Sequence, residues 1–249
     1  MAEEETLPPP VSVVNEEGSS PYVLICEHAS RFIPRRYEGL GLAEADLKRH
    51  IAWDIGASNV ALQLSHKLDS ALVLAGYSRL LIDLNRPVTS PTSIPQVSES
   101  TLIPGNTNLT AAQRHERIQS YFAPFQSRVE RILDLRLANA RPTVIIGVHS
   151  FTPIFKGDTR PWQAGVLYRR SRRFGEALVQ ALGGPRASIS HNEPYRIDDV
   201  GDYTVPVHGE ARGIDAVLIE IRQDLITDER GAAAWAGRLS AALKLCAAA

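Results

Sequence analysis

Cysteine is scarce in this sequence of 249 residues, and the only two, Cys26 and Cys246, lie near opposite ends of the chain. They fit a reducing compartment better than a disulfide framework, and their spacing is not that of a metal site. Long apolar runs are missing too, since no stretch approaches the roughly 20 residues of a membrane span. The start, MAEEETLPPP, is acidic and proline-rich, unlike a secretory signal. These absences predict a cytoplasmic protein without membrane association.

An excess of charge of either sign is also missing. The formal net charge is −1, which argues against a general nucleic-acid binder because such proteins usually carry a basic excess. Hydrophobic residues make up 44% and charged residues 22%, ordinary values for a globular protein. There is no internal repeat and no convincing linker. We therefore expect a flexible N-terminal arm over residues 1–20 and one domain over residues 21–249.

Short β-branched apolar runs alternate with amphipathic stretches along the chain. The runs predict strands at residues 22–26, 71–76, 78–85, 144–148, 164–170 and 216–222. The amphipathic stretches predict helices at residues 42–50, 54–68, 110–121, 124–137, 171–182 and 228–246. Residues 87–109, rich in Pro, Ser and Thr, read as a long loop of the kind that is usually functional or disordered. The alternation predicts a single α/β domain with helices on both faces of a central sheet.

Polar side chains follow several of the predicted strands. His28 comes after the first strand, Asn85 and Arg86 lie at the end of the third, and His149 follows the fourth. In open α/β sheets, ligands bind in the crevice outside the carboxyl ends of the strands. We therefore expect these side chains to converge if their strands run in the same direction. A single histidine at a strand end is more often a hydrogen-bonded structural residue than a ligand.

Glu220 differs because it lies inside an apolar run, residues 216–221, rather than after it. An unpaired carboxylate would be costly there, so Glu220 is either half of a buried ion pair, with Arg222 or Arg79, or part of a site. One mechanism needs the whole set of residues together. It uses metal-binding imidazoles, a carboxylate base and an arginine for an anionic substrate.

Five segments carry a resemblance to a known family: CEHASRFIP, HIAWDIGA, SRLLIDLNRP, VIIGVHSF and LIEIR. In this order, over about residues 20–227, the sequence resembles the N-formylglutamate amidohydrolase family, which is similar in plan to zinc carboxypeptidases and aspartoacylases. The resemblance implies a phosphorylase/hydrolase-like fold with a mixed central sheet. It also implies a zinc-dependent enzyme that removes a formyl or other small acyl group from an N-acylated acidic amino acid. The expected reaction converts N-formylglutamate and water into formate and glutamate.

The resemblance also implies the metal ligands. His28 and His149 match the two metal-binding histidines of the family, so that we expect one Zn²⁺ per chain. The third ligand is assigned to Asp54, ahead of a predicted helix. Glu27 is the reserve candidate. His50, four residues before Asp54, is another candidate on the same helical face.

The remaining roles come from the same matches. Asn85 and Arg86 match the pair that grips a substrate carboxylate, for which a guanidinium presents a matching planar fork. Glu220 matches the general base, and Arg222, two residues further along the same strand face, is expected to orient it or to assist with substrate. Arg79 is a candidate for binding substrate and stabilising its oxyanion.

The substrate and the catalytic competence are left open by the sequence. The alternatives are another acyl-amino acid amidase, a carboxypeptidase-like peptidase, or a non-catalytic binding protein that retains the pocket. The amidase and the peptidase would each act on a small molecule or peptide that carries a carboxylate. The oligomeric state is also left open.

Overall fold

A computed structural model describes residues 5–247. Its centre is a seven-stranded mixed sheet with the strand order β1-β3-β2-β6-β11-β9-β10. The strands of this sheet are β1 (Val11–Val14), β2 (Tyr22–Cys26), β3 (Ala71–Ala75), β6 (Val144–Phe151), β9 (Ala164–Leu167), β10 (Ile189–His191) and β11 (Asp215–Arg222). Strands β2, β3, β6 and β11 are parallel, whereas β1 and β9 run antiparallel to their neighbours β3 and β11. Two small hairpins lie outside the sheet, formed by β4 (Val97–Ser98) with β5 (Thr101–Leu102) and by β7 (Ile154–Phe155) with β8 (Asp158–Thr159).

Helices cover both faces of the sheet, as predicted. They are α1 (Glu44–Leu47), α2 (Ala57–Leu68), α3 (Ala111–Arg117), α4 (Ala123–Ala138), α5 (Arg172–Ala181) and α6 (Glu229–Ala247). The apolar sides of α2, α5 and α6 pack on one face in a core that includes Leu24, Ile146 and Ile219. Helix α4 packs on the other face in a second core that includes Ile25 and Leu218. Alternate residues of each strand therefore point into opposite cores, because successive side chains of a strand face opposite sides of the sheet.

The prediction of a strand over residues 78–85 is wrong. These residues form turns, although several of them are fully buried. The neighbouring place in the sheet, beside β3, is taken by β1. The backbone carbonyls of the segment are satisfied by side chains instead: Asn106 donates to Leu80, Arg117 to Leu81 and Gln126 to Leu84. An apolar run can thus be buried without joining a ladder when side-chain donors meet its backbone.

The N-terminal segment also differs from the expected flexible arm. Strand β1 adds to the edge of the sheet, with Val11 opposite Ala75 and Val14 opposite Leu72. The first four residues of that arm lie outside the described residues. Within the described range, none of the helices combines the length and the apolar character that a bilayer crossing requires.

The sheet brings the ends of three strands together. Because β2, β6 and β11 are parallel neighbours, their carboxyl ends lie at the same edge. Strand β6 runs three residues beyond its predicted end, so that His149 lies within the strand and pairs in register with Glu220 of β11. The observed topology therefore places an imidazole and a buried carboxyl on adjacent strands.

Candidate active site

A cavity of about 500 Å³ opens at this edge of the sheet. Its walls include seven of the eight residues predicted for the site: His28, Asp54, Arg79, Asn85, Arg86, His149 and Glu220. The eighth, Arg222, is not among the residues that line it. These seven side chains come from β6 and β11, from the turn after β2, from the segment before α2 and from the segment after β3.

Three buried side chains form a group that could hold a metal ion. His28, Asp54 and His149 are each only 3% exposed, and one donor atom from each lies within 4.8 Å of the others. Oδ2 of Asp54 is 3.4 Å from Nδ1 of His28 and 2.9 Å from Nδ1 of His149. Two imidazoles and a carboxylate are a donor set that suits zinc, and three protein ligands leave a fourth position open.

The far nitrogen of each imidazole faces another buried carboxylate. Nε2 of His28 lies 2.8 Å from Oδ1 of Asp83, and Nε2 of His149 lies 3.1 Å from Oε2 of Glu27. The hydroxyl of Thr204 donates to the other oxygen of Glu27. Metal-binding histidines commonly have such a carboxylate behind them, which fixes the ring and its tautomer. The reserve ligand Glu27 thus lies behind His149 rather than beside Asp54.

Asp83 was not singled out from the sequence. Its guanidinium partner is Arg79, whose Nε and Nη2 donate to Oδ2 of Asp83 at 3.0 and 2.6 Å. Nη1 of Arg79 also donates to Oδ1 of Asp54, at 3.3 Å. Arg79, expected to contact substrate, therefore braces two carboxylates of the candidate metal centre. Arg79 and Asp83 are four residues apart, a spacing at which their side chains can meet when the chain turns. The incorrect prediction of a strand over residues 78–85 excluded such a contact.

The surrounding carboxylates favour positive charge at both imidazoles. Burial and Arg79 lower the pKa of His28, but Asp83 and Asp54 outweigh them and leave that pKa raised. Burial also lowers the pKa of His149, whereas Glu27 and Asp54 hold it well above its ordinary value. A divalent cation held by His28, Asp54 and His149 would supply the positive charge that this environment favours. The residues present therefore fit a metal ion.

Glu220 is a buried, titratable carboxyl on the wall of the cavity. Its side chain is almost completely buried, and Oε2 has no hydrogen-bond partner in the described part of the chain. Burial, assisted by the nearby charge of Asp54, raises the pKa of Glu220 to about 7. A carboxyl with a pKa near neutrality can both accept and return a proton under physiological conditions.

Asn85 and Arg86 occupy different roles in the cavity wall. The side-chain oxygen of Asn85 accepts from the backbone N–H groups of Tyr203 and Thr204, at 3.1 and 2.9 Å. Its amide nitrogen donates to Asp202, so the Asn85 side chain braces the loop opposite. Arg86 also supports this loop, because its Nη1 donates to the carbonyl of Gly201.

Two further candidates lie outside the ligand group. Arg222 pairs with Asp224 through Nε and Nη2, at 2.8 and 3.2 Å, because β11 ends at Arg222 and the chain turns immediately afterwards. The expectation that Arg222 orients Glu220 is therefore not supported by the geometry. His50 lines the cavity, with Nε2 at 3.4 Å from Glu99, but it is not part of the His28, Asp54 and His149 group.

Comparison with known proteins gives this site a context. A sequence model described as N-formylglutamate amidohydrolase matches residues 20–227. The solved structure of gene product Atu2144 from Agrobacterium tumefaciens is 38% identical with a TM-score of 0.92, covering 96% of this chain and 94% of that chain. An N-formylglutamate amidohydrolase from Ralstonia eutropha JMP134 is 18% identical with a TM-score of 0.73, covering 96% of this chain and 97% of that chain, which shows the same fold. No curated protein matches the chain. Because the family model spans well over half of its length, this chain belongs to the N-formylglutamate amidohydrolase family.

Proposed function

We propose that this protein is a zinc-dependent amidohydrolase that removes the formyl group from an N-acylated acidic amino acid. The reaction is N-formylglutamate plus water to formate plus glutamate. One observation carries the proposal: His28, Asp54 and His149 converge in a cavity where Glu220 has a buried, unpartnered oxygen. Membership of the amidohydrolase family supports the same reaction class.

His28, Asp54 and His149 would hold one zinc ion per chain. When bound, the ion polarises the amide carbonyl and lowers the pKa of the attacking water. Asp83 and Glu27 hold the two imidazoles from behind, which fixes the Nδ1 atoms in the ligating direction. The residues of the chain thus prepare the centre before substrate enters.

Glu220 moves the proton. It accepts one from water as the water oxygen forms a bond to the formyl carbon. It then donates that proton to the amide nitrogen as the carbon–nitrogen bond breaks, so that glutamate leaves as an amine and formate remains. The pKa near 7 that burial gives Glu220 suits both steps, because general acid–base catalysis is most efficient when the pKa lies near the working pH.

Arg86 binds the α-carboxylate of the substrate. Its guanidinium lines the cavity and is held from one side by the carbonyl of Gly201. A planar fork of donors restricts a carboxylate in angle as well as in distance, so the amide is placed over the reacting groups. Asn85 contributes indirectly, by holding the backbone of Tyr203 and Thr204 in the facing wall.

A substrate panel tests the proposal. The zinc-loaded protein is assayed with N-formyl, N-acetyl and N-succinyl glutamate and with a short peptide ending in glutamate. We expect the highest kcat/KM for N-formylglutamate, with release of formate and no turnover after the metal is removed by a chelator.

Other outcomes separate the alternatives. Faster hydrolysis of the acetyl or succinyl compound would make the protein another acyl-amino acid amidase, and cleavage of the peptide would make it a peptidase. Binding of these compounds without turnover of any of them would indicate a binding protein.

A further inference from the structure

Three arginines line the cavity, and two of them have partners among the residues that the structure describes. Arg79 is engaged by Asp54 and Asp83, and Arg86 donates to the carbonyl of Gly201. The third, Arg196, is exposed to the cavity and makes no hydrogen bond or ion pair with any other residue in the range 5–247. A guanidinium without a counter-ion on the wall of a cavity is available to an anionic group of a ligand.

The loop that carries Arg196 is anchored at its base. The backbone N–H of Asn192 donates to the carbonyl of Val166, and the Asn192 side-chain oxygen accepts from the N–H of Tyr168. The hydroxyl of Ser190 donates to the carbonyl of Glu193 at 3.0 Å. These contacts attach the base of the loop to β9 and β10, three residues before Arg196.

A glycine brings this loop next to Glu220. Gly165 of β9 pairs in register with Glu220 of β11, so both positions face the same side of the sheet. A Cβ atom at Gly165 would lie only 1.7 Å from the carbonyl oxygen of Glu193, and the missing side chain is therefore what lets the loop cross there. Tyr195 is held beyond this crossing, because its hydroxyl accepts from Nη1 of Arg160 at 2.8 Å.

We infer that Arg196 binds the side-chain carboxylate of an N-acylated dicarboxylic amino acid, while Arg86 binds the α-carboxylate. The inference rests on the proposed function and assigns the residue that recognises the distal carboxylate of its substrate. The amide and the two carboxylates of such a substrate diverge from one short carbon chain. A cavity that binds such a substrate needs a reacting centre for the amide and two separate cationic groups for the carboxylates. Glu220, Arg86 and Arg196 lie on the walls of the cavity in this protein.

The test compares two substrates that differ only in the distal group. Arg196→Gln should lower kcat/KM for N-formylglutamate by about 10- to 100-fold, the range expected for losing a charge-assisted hydrogen bond. The same change should have little effect on N-formylglutamine, which lacks the distal charge. Arg131→Gln is the matched control, because Arg131 is an exposed arginine of α4 outside the cavity and its loss removes the same charge. It should leave both substrates unaffected.

A binding measurement completes the test without relying on turnover. Calorimetry should show that the wild-type protein binds L-glutamate more tightly than L-glutamine and that Arg196→Gln abolishes this preference. Equal losses on both substrates, or no loss on either, would overturn the assignment of Arg196 while leaving the proposed reaction intact. A wild-type protein that hydrolyses no N-formyl amino acid would overturn the proposed function, and the inference with it.

Discussion

Replacing Glu220 with glutamine separates catalysis from stability in one substitution. The change preserves the size of the side chain and removes its ability to titrate. If Glu220 is the general base, kcat should fall by about 10²–10⁴-fold, the usual contribution of such a group. Zinc content should stay the same, because the predicted ligands His28, Asp54 and His149 are untouched.

The effect on stability can be worked out from the pKa of Glu220. Burial raises it from 4.5 to about 7, and at 1.36 kcal/mol per pKa unit this corresponds to about 3 kcal/mol. Below about pH 4.5 the group is protonated in both folded and unfolded chains, so it has no effect. As the pH rises towards 7, the unfolded chain loses the proton while the folded chain keeps it, and folding is penalised. Above about pH 7 the penalty is constant.

The metal-free glutamine variant should therefore be more stable than the metal-free wild type. Its advantage should reach up to about 3 kcal/mol near pH 8 and be much smaller near pH 5. Urea unfolding at the two pH values measures this difference, and steady-state release of formate measures kcat. A variant that turns over normally and is less stable than the wild type would make Glu220 a structural member of a buried ion pair, and the proposed proton transfer would be wrong.

Three other substitutions test the groups around the reacting centre. Asp83→Asn should weaken zinc binding by about 10- to 100-fold, since it removes the carboxylate behind His28; unchanged affinity in a chelator competition would contradict this role. Arg86→Lys should lower kcat/KM for N-formylglutamate far more than for its α-amide, because lysine lacks the planar fork, and equal losses would mean that Arg86 only supports the loop. In Gly201→Ala the new Cβ would lie 2.6 Å from Nη1 of Arg86, so KM should rise with little change in thermal stability; an unchanged KM would show that the position of this guanidinium does not matter.

Much of the fold could be predicted because most buried strands are marked by local patterns. The run at residues 22–26 is a strand with the predicted bounds, and helices follow the amphipathic stretches. The exception, residues 78–85, has the same apolar character as a strand. Whether this segment forms a strand depends on side-chain donors such as Asn106 and Gln126, which approach from elsewhere in the chain. They donate to backbone carbonyls that would otherwise bond to a neighbouring strand.

The site was predictable where a motif carries the residue and unpredictable where a distant partner decides its role. The resemblance selected His28 and His149, Asp54 was the candidate assigned as third ligand, and the structure brings the three together. The carboxylate that faces Nε2 of His28 is Asp83, 55 residues away, and no local pattern shows this contact. Arg222 belongs to β11 and shares a strand face with Glu220, but its guanidinium pairs with Asp224 in the turn that follows the strand, and no local pattern shows this contact.

Metal analysis of the wild type and of His149→Ala tests whether His28, Asp54 and His149 hold one catalytic metal ion. Each protein is purified, equilibrated with zinc, freed of excess metal and analysed for zinc per chain, with circular dichroism to show that the variant is folded. We expect one zinc ion per chain in the wild type, and almost none in the folded variant, which should release no formate. Full zinc occupancy in folded His149→Ala would contradict this ligand assignment and remove His149 from the metal centre.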